Sequence, residues 1–378
     1  MESMLNLRKW AAPVMVLLAA LAAADANAQS PALQTRNVIL LTADGVRIEE
    51  LFGGIDASVI ARPETSGIEY EEETARVEQA YGAATPHAAR ERLMPFFWDT
   101  IAREGIIIGD RTLGAAMRVT NRYGFSAPGY NELLTGRAHD DVDSNDVVRY
   151  PYPTALEYAQ SKLGLGFTDV AVIGSWVGFT TLASSKADLF FTNTGFTDVP
   201  EKYATPKVRV LSETQHRIMT LWPEGRSDAV TFGIAQEYLR THHPRLLYIA
   251  LGESDDWAHE KRYDRYLDYL HELDGMIAEL WRTVQSLDAY RGRTTLIITT
   301  DHGRGSKPAE WIEHGEGIEG SWDMWAAVIG PDTPASGVLT RQPPVQQAQV
   351  AATVLRFLGL DYRDFDQHVA PPIAQAFK

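Results

Sequence analysis

Asn37–Gly45, NVILLTADG, is the stretch that decides the fold. An apolar run rich in β-branched residues ends abruptly in Asp and Gly. A strand with one face in water would alternate polar and apolar side chains. This one does not, so it reads as a strand covered on both faces, as in parallel sheets. The same pattern recurs at Gly105–Gly109 (GIIIG), Asp169–Gly174 (DVAVIG), Leu246–Gly252 (LLYIALG), Thr294–Gly303 (TTLIITTDHG) and Trp325–Pro331 (WAAVIGP). Amphipathic segments lie between these runs. In the clearest, Tyr263, Tyr266, Leu270, Leu273, Ile277, Leu280 and Val284 recur at helical steps and read as core packing. A last helix is predicted from about Val345 to Leu358, stopping at Gly359. Alternation of this kind predicts an α/β fold: a doubly wound, mostly parallel sheet with helices on both faces. Ligands of such sheets bind at the carboxyl ends of the strands.

Two stretches break the alternation. Ala57–Arg92 is acidic and polar, with a helix predicted over Glu69–Ala80, and Phe179–Gly225 is irregular and rich in Thr, Ser and Gly. Both read as insertions that form a small cap over one edge of the sheet. At the amino terminus, Arg8 and Lys9 precede the apolar run Ala11–Ala24, and Ala26-Asn27-Ala28 matches a signal-peptidase site. Residues 1–28 therefore read as a signal peptide and 29–378 as a single domain, periplasmic or secreted. No later segment is apolar enough to span a membrane. The chain has no cysteine, which excludes thiolate metal sites and cysteine nucleophiles. Its formal net charge of −15 argues against nucleic acid as a partner.

Three predicted strands end in aspartate: Asp44, Asp255 and Asp301. One such residue is ordinary as a turn or cap. Three at the same edge of one sheet would repel strongly unless cations lay between them. Histidines stand close by in sequence. His259 is four residues after Asp255, one helical turn; His302 adjoins Asp301; His314 lies in the Gly-flanked loop IEHGEG. Asp with neutral imidazole suits zinc or a similar first-row ion. Finally, Ser126 opens the stretch SAPGYNELLTG at a predicted helix start. It reads either as an N-cap or, beside a divalent ion, as an activated nucleophile.

Taken in order, these motifs resemble the alkaline phosphatase superfamily in its nucleotide pyrophosphatase/phosphodiesterase and sulfatase-like branch. Ser126–Gly136 resembles its nucleophile motif, NVILLTADG its first strand with a metal aspartate, and DDWAH its Asp-x-x-x-His pair. TTDHG resembles its Asp-His pair, EHGEG its last metal histidine, and VAATVLRFLGLD its closing helix. The resemblance implies two divalent metal ions, with zinc the expected element. Asp44, Asp301, His302 and Ser126 would hold one; Asp255, His259 and His314 would hold the other. It also implies a small-molecule phosphate ester as substrate, a phosphodiester or phosphomonoester, cleaved through a phosphoserine on Ser126.

Some positions depart from the family. Formylglycine sulfatases carry Arg four residues after the modified residue, where this chain has Tyr130. With no such Arg and no cysteine, Ser126 is expected to remain serine. Sulfatases also pair two acids after the first strand, and here Gly45 follows Asp44. Asn145, Arg47, Arg122 and Lys307 are further candidates for contacts to the ester. A sulfatase, a phosphonate monoester hydrolase and a non-catalytic metal-binding homologue are the alternative readings. GSWVG does not fit a serine-hydrolase elbow, and no P-loop is present.

Overall fold

The NVILLTA run becomes the strand around which the main sheet is arranged. The structure, a computed structural model, describes residues 33–378; the segment read as a signal peptide lies outside them. In chain order the strands are β1 (Asn37–Ala43), β2 (Ile106–Ile108), β3 (Met117–Arg118), β4 (Val170–Gly174), β5 (Phe191–Thr194) and β6 (Leu246–Leu251). They continue with β7 (Thr294–Thr299), β8 (Asp323–Met324), β9 (Ala326–Ile329), β10 (Gly337–Val338) and β11 (Val345–Gln346).

Eight strands form the main sheet in the order β10-β2-β9-β7-β1-β6-β4-β5. The strands β7, β1, β6, β4 and β5 are mutually parallel. WAAVIGP yields β9, which runs antiparallel to both β7 and β2. The sheet is mostly parallel, as its apolar runs predict. Every residue of β1, β6 and β7 is buried, which is why those sequences show no polar alternation. Strands β11, β3 and β8 form a small second sheet.

Between β6 and β7 the chain crosses over β1 through the long helix Tyr263–Ser286. Its stripe of Tyr263, Tyr266, Leu270, Leu273, Ile277, Leu280 and Val284 is buried in the core, and each such side chain contributes roughly 1.5–3 kcal/mol. The closing helix is shorter than predicted, Gln349–Phe357. Val345 and Gln346 instead pair with Met117 and Arg118, because Pro343 and Pro344 hold the preceding chain extended.

The acidic segment after β1 contains the helix Glu71–Tyr81, close to the prediction. The second interruption is more ordered than its sequence suggests. It supplies β5, the edge strand of the main sheet, and the helix Pro206–Gln215. FTNT escapes notice because an edge strand needs no continuous apolar run. Among the described residues, no helix is long and apolar enough to cross a membrane.

Candidate active site

Three neighbouring strands, β7, β1 and β6, deliver the three aspartates. Asp44 directly follows β1, Asp255 lies in the helix Glu253–His259 after β6, and Asp301 stands just beyond β7. Adjacent strands are only about 4.8 Å apart, so residues remote in sequence meet at one sheet edge.

The most enclosed group is centred on His302. Its Nε2 lies 3.3 Å from Asp44 Oδ1, 3.4 Å from Asp301 Oδ2 and 3.4 Å from Ser126 Oγ. Its Nδ1 donates to the Gly303 carbonyl at 2.9 Å, an arrangement that turns Nε2 toward the carboxylates. Each carboxylate has one oxygen tied to the protein. Asp44 Oδ2 accepts the Tyr130 hydroxyl at 3.0 Å, and Asp301 Oδ1 accepts the Gly45 N–H at 3.1 Å. The other oxygens, Asp44 Oδ1 and Asp301 Oδ2, are buried without a hydrogen-bond partner. Such atoms are costly unless something positive lies against them. This donor set fits a divalent metal.

The electrostatics agree. Burial and the nearby Asp255 charge raise the Asp44 carboxyl, while burial and Asp44 raise Asp301 well above its ordinary range. Burial alone would lower the His302 imidazole, yet the charges of Asp301 and Asp44 bring it up to about 9. Crowded negative charge is thus the defining property of this group.

A second group lies beside it. His259 Nε2 is 3.1 Å from Asp255 Oδ2 and 3.0 Å from His314 Nε2, and His314 Nε2 is 3.7 Å from Asp255 Oδ1. The His314 ring also stacks on His302, with centroids 4.1 Å apart. Ligand-type atoms of Asp255, His302 and His314 lie within 4.8 Å of one another, as do those of Asp44, Asp301 and His302. Every site residue expected from sequence is therefore brought together. The division into two sets is less clean than expected, since His302 borders both.

Arg304 was missed from sequence, although it stands two residues after His302. Its buried guanidinium bonds directly to Asp255 Oδ1. Burial would raise the Asp255 carboxyl, but Arg304 and the two histidines hold it well below its ordinary value. Burial and the His302 charge push His314 down to about 2, leaving a neutral imidazole. Arg304 also accounts for Gly45. A Cβ at that position, where φ is +60°, would lie 2.8 Å from both Arg304 Nε and Asp255 Oδ1. A second acid after β1 has no room.

Ser126 is the first residue of the helix Ser126–Thr135, and Phe125 is its cap residue. No side chain closes that helix end, so Ser126 is not acting as the N-cap that the sequence allowed. Instead the Ala127 N–H donates to Asn145 Oδ1 at 2.9 Å, which brings Asn145 beside the serine. The other sequence candidates turn elsewhere. Arg47 is buried against Glu50 at 2.9 Å, Arg122 lies over the Tyr123 ring, and Lys307 pairs with Glu310 at 3.1 Å. A cleft of about 410 Å³ opens over Asp44, Ser126, Asn145, Asp255 and His259.

A parallel sheet with an Asp/His cluster at its carboxyl edge and a serine opening the adjacent helix fits the alkaline phosphatase superfamily of metal-dependent hydrolases, in which a family match places the chain. The chain belongs to the sulfatase family, whose model matches residues 110–360. Among solved structures, alkaline phosphatase PafA superposes with a TM-score of 0.58 at 10% identity, over 93% of this chain and 100% of that one. The lipoteichoic acid synthase LtaP from Listeria monocytogenes gives 0.54 at 10% identity, over 86% of this chain and 72% of that one. Phosphonate monoester hydrolase of Agrobacterium radiobacter gives 0.50 at 14% identity, over 86% and 74%. At such identities the likeness is one of fold. No curated protein sequence matches the chain.

Proposed function

We propose that this chain is an exported two-metal hydrolase of monoanionic esters, in the first place phosphodiesters, with Ser126 as its nucleophile. The observation that carries the reading is the contact of Ser126 Oγ with His302 in a group where Asp44 Oδ1 and Asp301 Oδ2 are buried without a hydrogen bond and face only that imidazole. Asp44, Asp301, His302 and Ser126 would hold one ion, and Asp255, His259 and His314 the other. When bound, divalent ions such as zinc stabilise a serine alkoxide and the charge that builds on the departing oxygen.

The remaining chemistry belongs to the protein. Ser126 Oγ bonds to phosphorus as the opposite ester bond breaks and the serine proton leaves with the departing alcohol, giving a phosphoserine that keeps the diester's second ester group; water then cleaves the Ser126 O–P bond, releasing the monoester and regenerating the hydroxyl. Asn145 Oδ1 is occupied by the Ala127 N–H, which leaves its amide N–H groups free for a non-bridging ester oxygen. Tyr130 holds Asp44 by its second oxygen.

Charge favours the monoanion. Two dications against three aspartates and one alkoxide sum to zero, and Arg304 on Asp255 adds one positive charge. A phosphodiester carries one negative charge; a phosphomonoester carries two near neutral pH. A sulfate ester is also a monoanion, and the family match supports that second reading. The test is hydrolysis of bis(4-nitrophenyl) phosphate, 4-nitrophenyl phosphate and 4-nitrophenyl sulfate by zinc-loaded protein. The diester should be cleaved fastest, and Ser126→Ala should lower its kcat by on the order of 10⁴–10⁶-fold. Turnover that survives Ser126→Ala would remove the proposed nucleophile, and a preference for the sulfate would transfer the assignment to the second reading.

A further inference from the structure

Beyond the metal-ligand candidates, the cleft continues along a wall made by two loops that are zipped together. Trp176 and Gly225 form an isolated antiparallel bridge, and the Val177 N–H donates to the Glu224 carbonyl at 2.9 Å. These loops bring Trp176, Trp222 and Glu224 to the cleft, whose lining also includes Asp146, Val147 and Asp256. The carboxylates of Glu224 and Asp256 take no hydrogen bond and no ion pair among the described residues, whereas those of Asp44 and Asp255 are bonded within the Asp/His cluster.

No lysine lines this cleft, and Arg226, the lining arginine, is turned away from it. Arg226 is 1% exposed, and its guanidinium donates to Thr231 at 2.8 Å, Asn193 at 2.7 Å and Gln215 at 3.3 Å. The wall therefore offers two indoles and the free carboxylate of Glu224, with no lysine and no free arginine beside them. Trp176 is seated rather than loose. Its ring meets Phe179 edge-on with centroids 5.9 Å apart, and a Cβ on Gly178 would come within 2.6 Å of the indole. Gly178 has an ordinary helical φ, so its glycine serves this close approach.

We infer that this wall is a subsite for the cationic substituent of the ester, an alcohol bearing a quaternary ammonium group. The inference rests on the reading of the adjacent cluster as an ester hydrolase. A primary ammonium is strongly hydrated and wants a ring of oxygen acceptors. A methylated ammonium sheds its water cheaply, packs its methyl groups on indole and Val147, and is attracted by the indole rings and by the exposed Glu224 carboxylate. The same group occurs on soluble esters and on zwitterionic lipid headgroups. Trp222 of the lining is exposed, as are Ile218, Met219 and Leu221 just before it in the chain, Met219 by 96%, an apolar run that suits a lipid surface.

The test uses zinc-loaded full-length protein and a matched pair: 4-nitrophenyl phosphorylcholine, and its 3,3-dimethylbutyl analogue with carbon in place of the charged nitrogen. The choline ester should be favoured about tenfold in kcat/KM. That ratio should fall toward one in Glu224→Gln, an exposed substitution, and in Trp176→Ala. Calorimetry with choline alone should show one binding event that Glu224→Gln weakens, a readout independent of turnover. Equal rates on the pair, or a preference that survives both substitutions, overturns the subsite and leaves the hydrolase reading standing. Failure of both esters with choline still bound sinks the hydrolase reading and keeps the subsite. Glycerophosphocholine and phosphatidylcholine vesicles then separate the sources. Turnover of vesicles that Met219→Ser and Leu221→Ser reduce assigns the lipid headgroup, and turnover of the soluble ester alone assigns the free ester; either result upholds the cation site.

Discussion

The two halves of the Asp/His cluster are made of the same residue types and handle charge in opposite ways. Around Asp44, Asp301 and His302 the protein supplies only orienting contacts: a tyrosine hydroxyl, a glycine N–H and a carbonyl. Two carboxylate oxygens there stay buried without a hydrogen bond, sharing a single imidazole, His302, at 3.3 and 3.4 Å. Around Asp255 the protein supplies its own cation, Arg304, and His259 is a third exposed. Buried like charges are tolerable only with a counter-charge close by, and the halves differ in where that charge comes from. The first half has been left for an ion to complete. The second is already half neutralised, so an ion there must compete with a guanidinium for one oxygen. The enclosed half should therefore bind its ion more tightly, and stepwise chelation should remove the ion near Asp255 first. Loss of both ions together on titration with a chelator, followed by elemental analysis, would break the comparison at its root.

The largest effect should come from Asp301→Asn. This substitution keeps the shape and the Gly45 contact but removes the charge of a fully buried residue. Zinc content should drop by one ion per chain, and diester hydrolysis should fall by on the order of 10⁴-fold or more. Tyr130→Phe should act more mildly and on the same half. Removing a hydrogen bond that orients a metal-binding carboxylate costs about 10–100-fold in affinity or activity. The weaker binding should appear in the tight step of a zinc titration and leave the loose step unchanged. An equal loss in both steps would mean that Tyr130 supports the cluster as a whole.

How much of this was legible in the sequence follows from the same physics. β1, β6 and β7 stand out because both their faces are covered, and their end residues could be placed at one edge before any coordinates. The edge strand β5 and the paired loops at Trp176 and Gly225 could not be seen. Neither carries a periodic apolar signal, and their partners lie far off in sequence. Asn145 was reachable by its distance along the chain from Ser126. Its orientation depends on one N–H at a helix start, which no pattern encodes. Tyr130 departs from the family pattern in sequence, but its hydroxyl reaches Asp44 only once the fold sets the helix Ser126–Thr135 against the Asp301 backbone, which a Cβ on Gly129 would strike. Arg304 is the instructive omission. A basic residue next to Asp301-His302 looks like surface charge until the fold buries it, and only then does its bond to Asp255 explain why glycine follows Asp44.

The smallest effect on metal affinity, and the one that tests the contrast most directly, belongs to Arg304→Gln. Two consequences follow, with opposite signs. Without the guanidinium, chelated protein is left with an Asp255 carboxylate that faces Asp44 and lacks its main counter-charge. The side chain of Asp255 is 16% exposed, so water recovers part of the loss, and the destabilisation should be roughly 1–3 kcal/mol. The freed oxygen also becomes available to an ion and the local repulsion of a dication disappears, so the loose step of a zinc titration should tighten by up to about tenfold. Chelated Arg304→Gln should thus unfold at lower denaturant than chelated wild type, and zinc should restore most of the difference. The same experiment on Asp301→Asn should run the other way: removing one of two repelling buried charges should make the chelated protein more stable, with little further gain from zinc. If both variants shift in the same direction, the two halves do not differ in the source of their counter-charge.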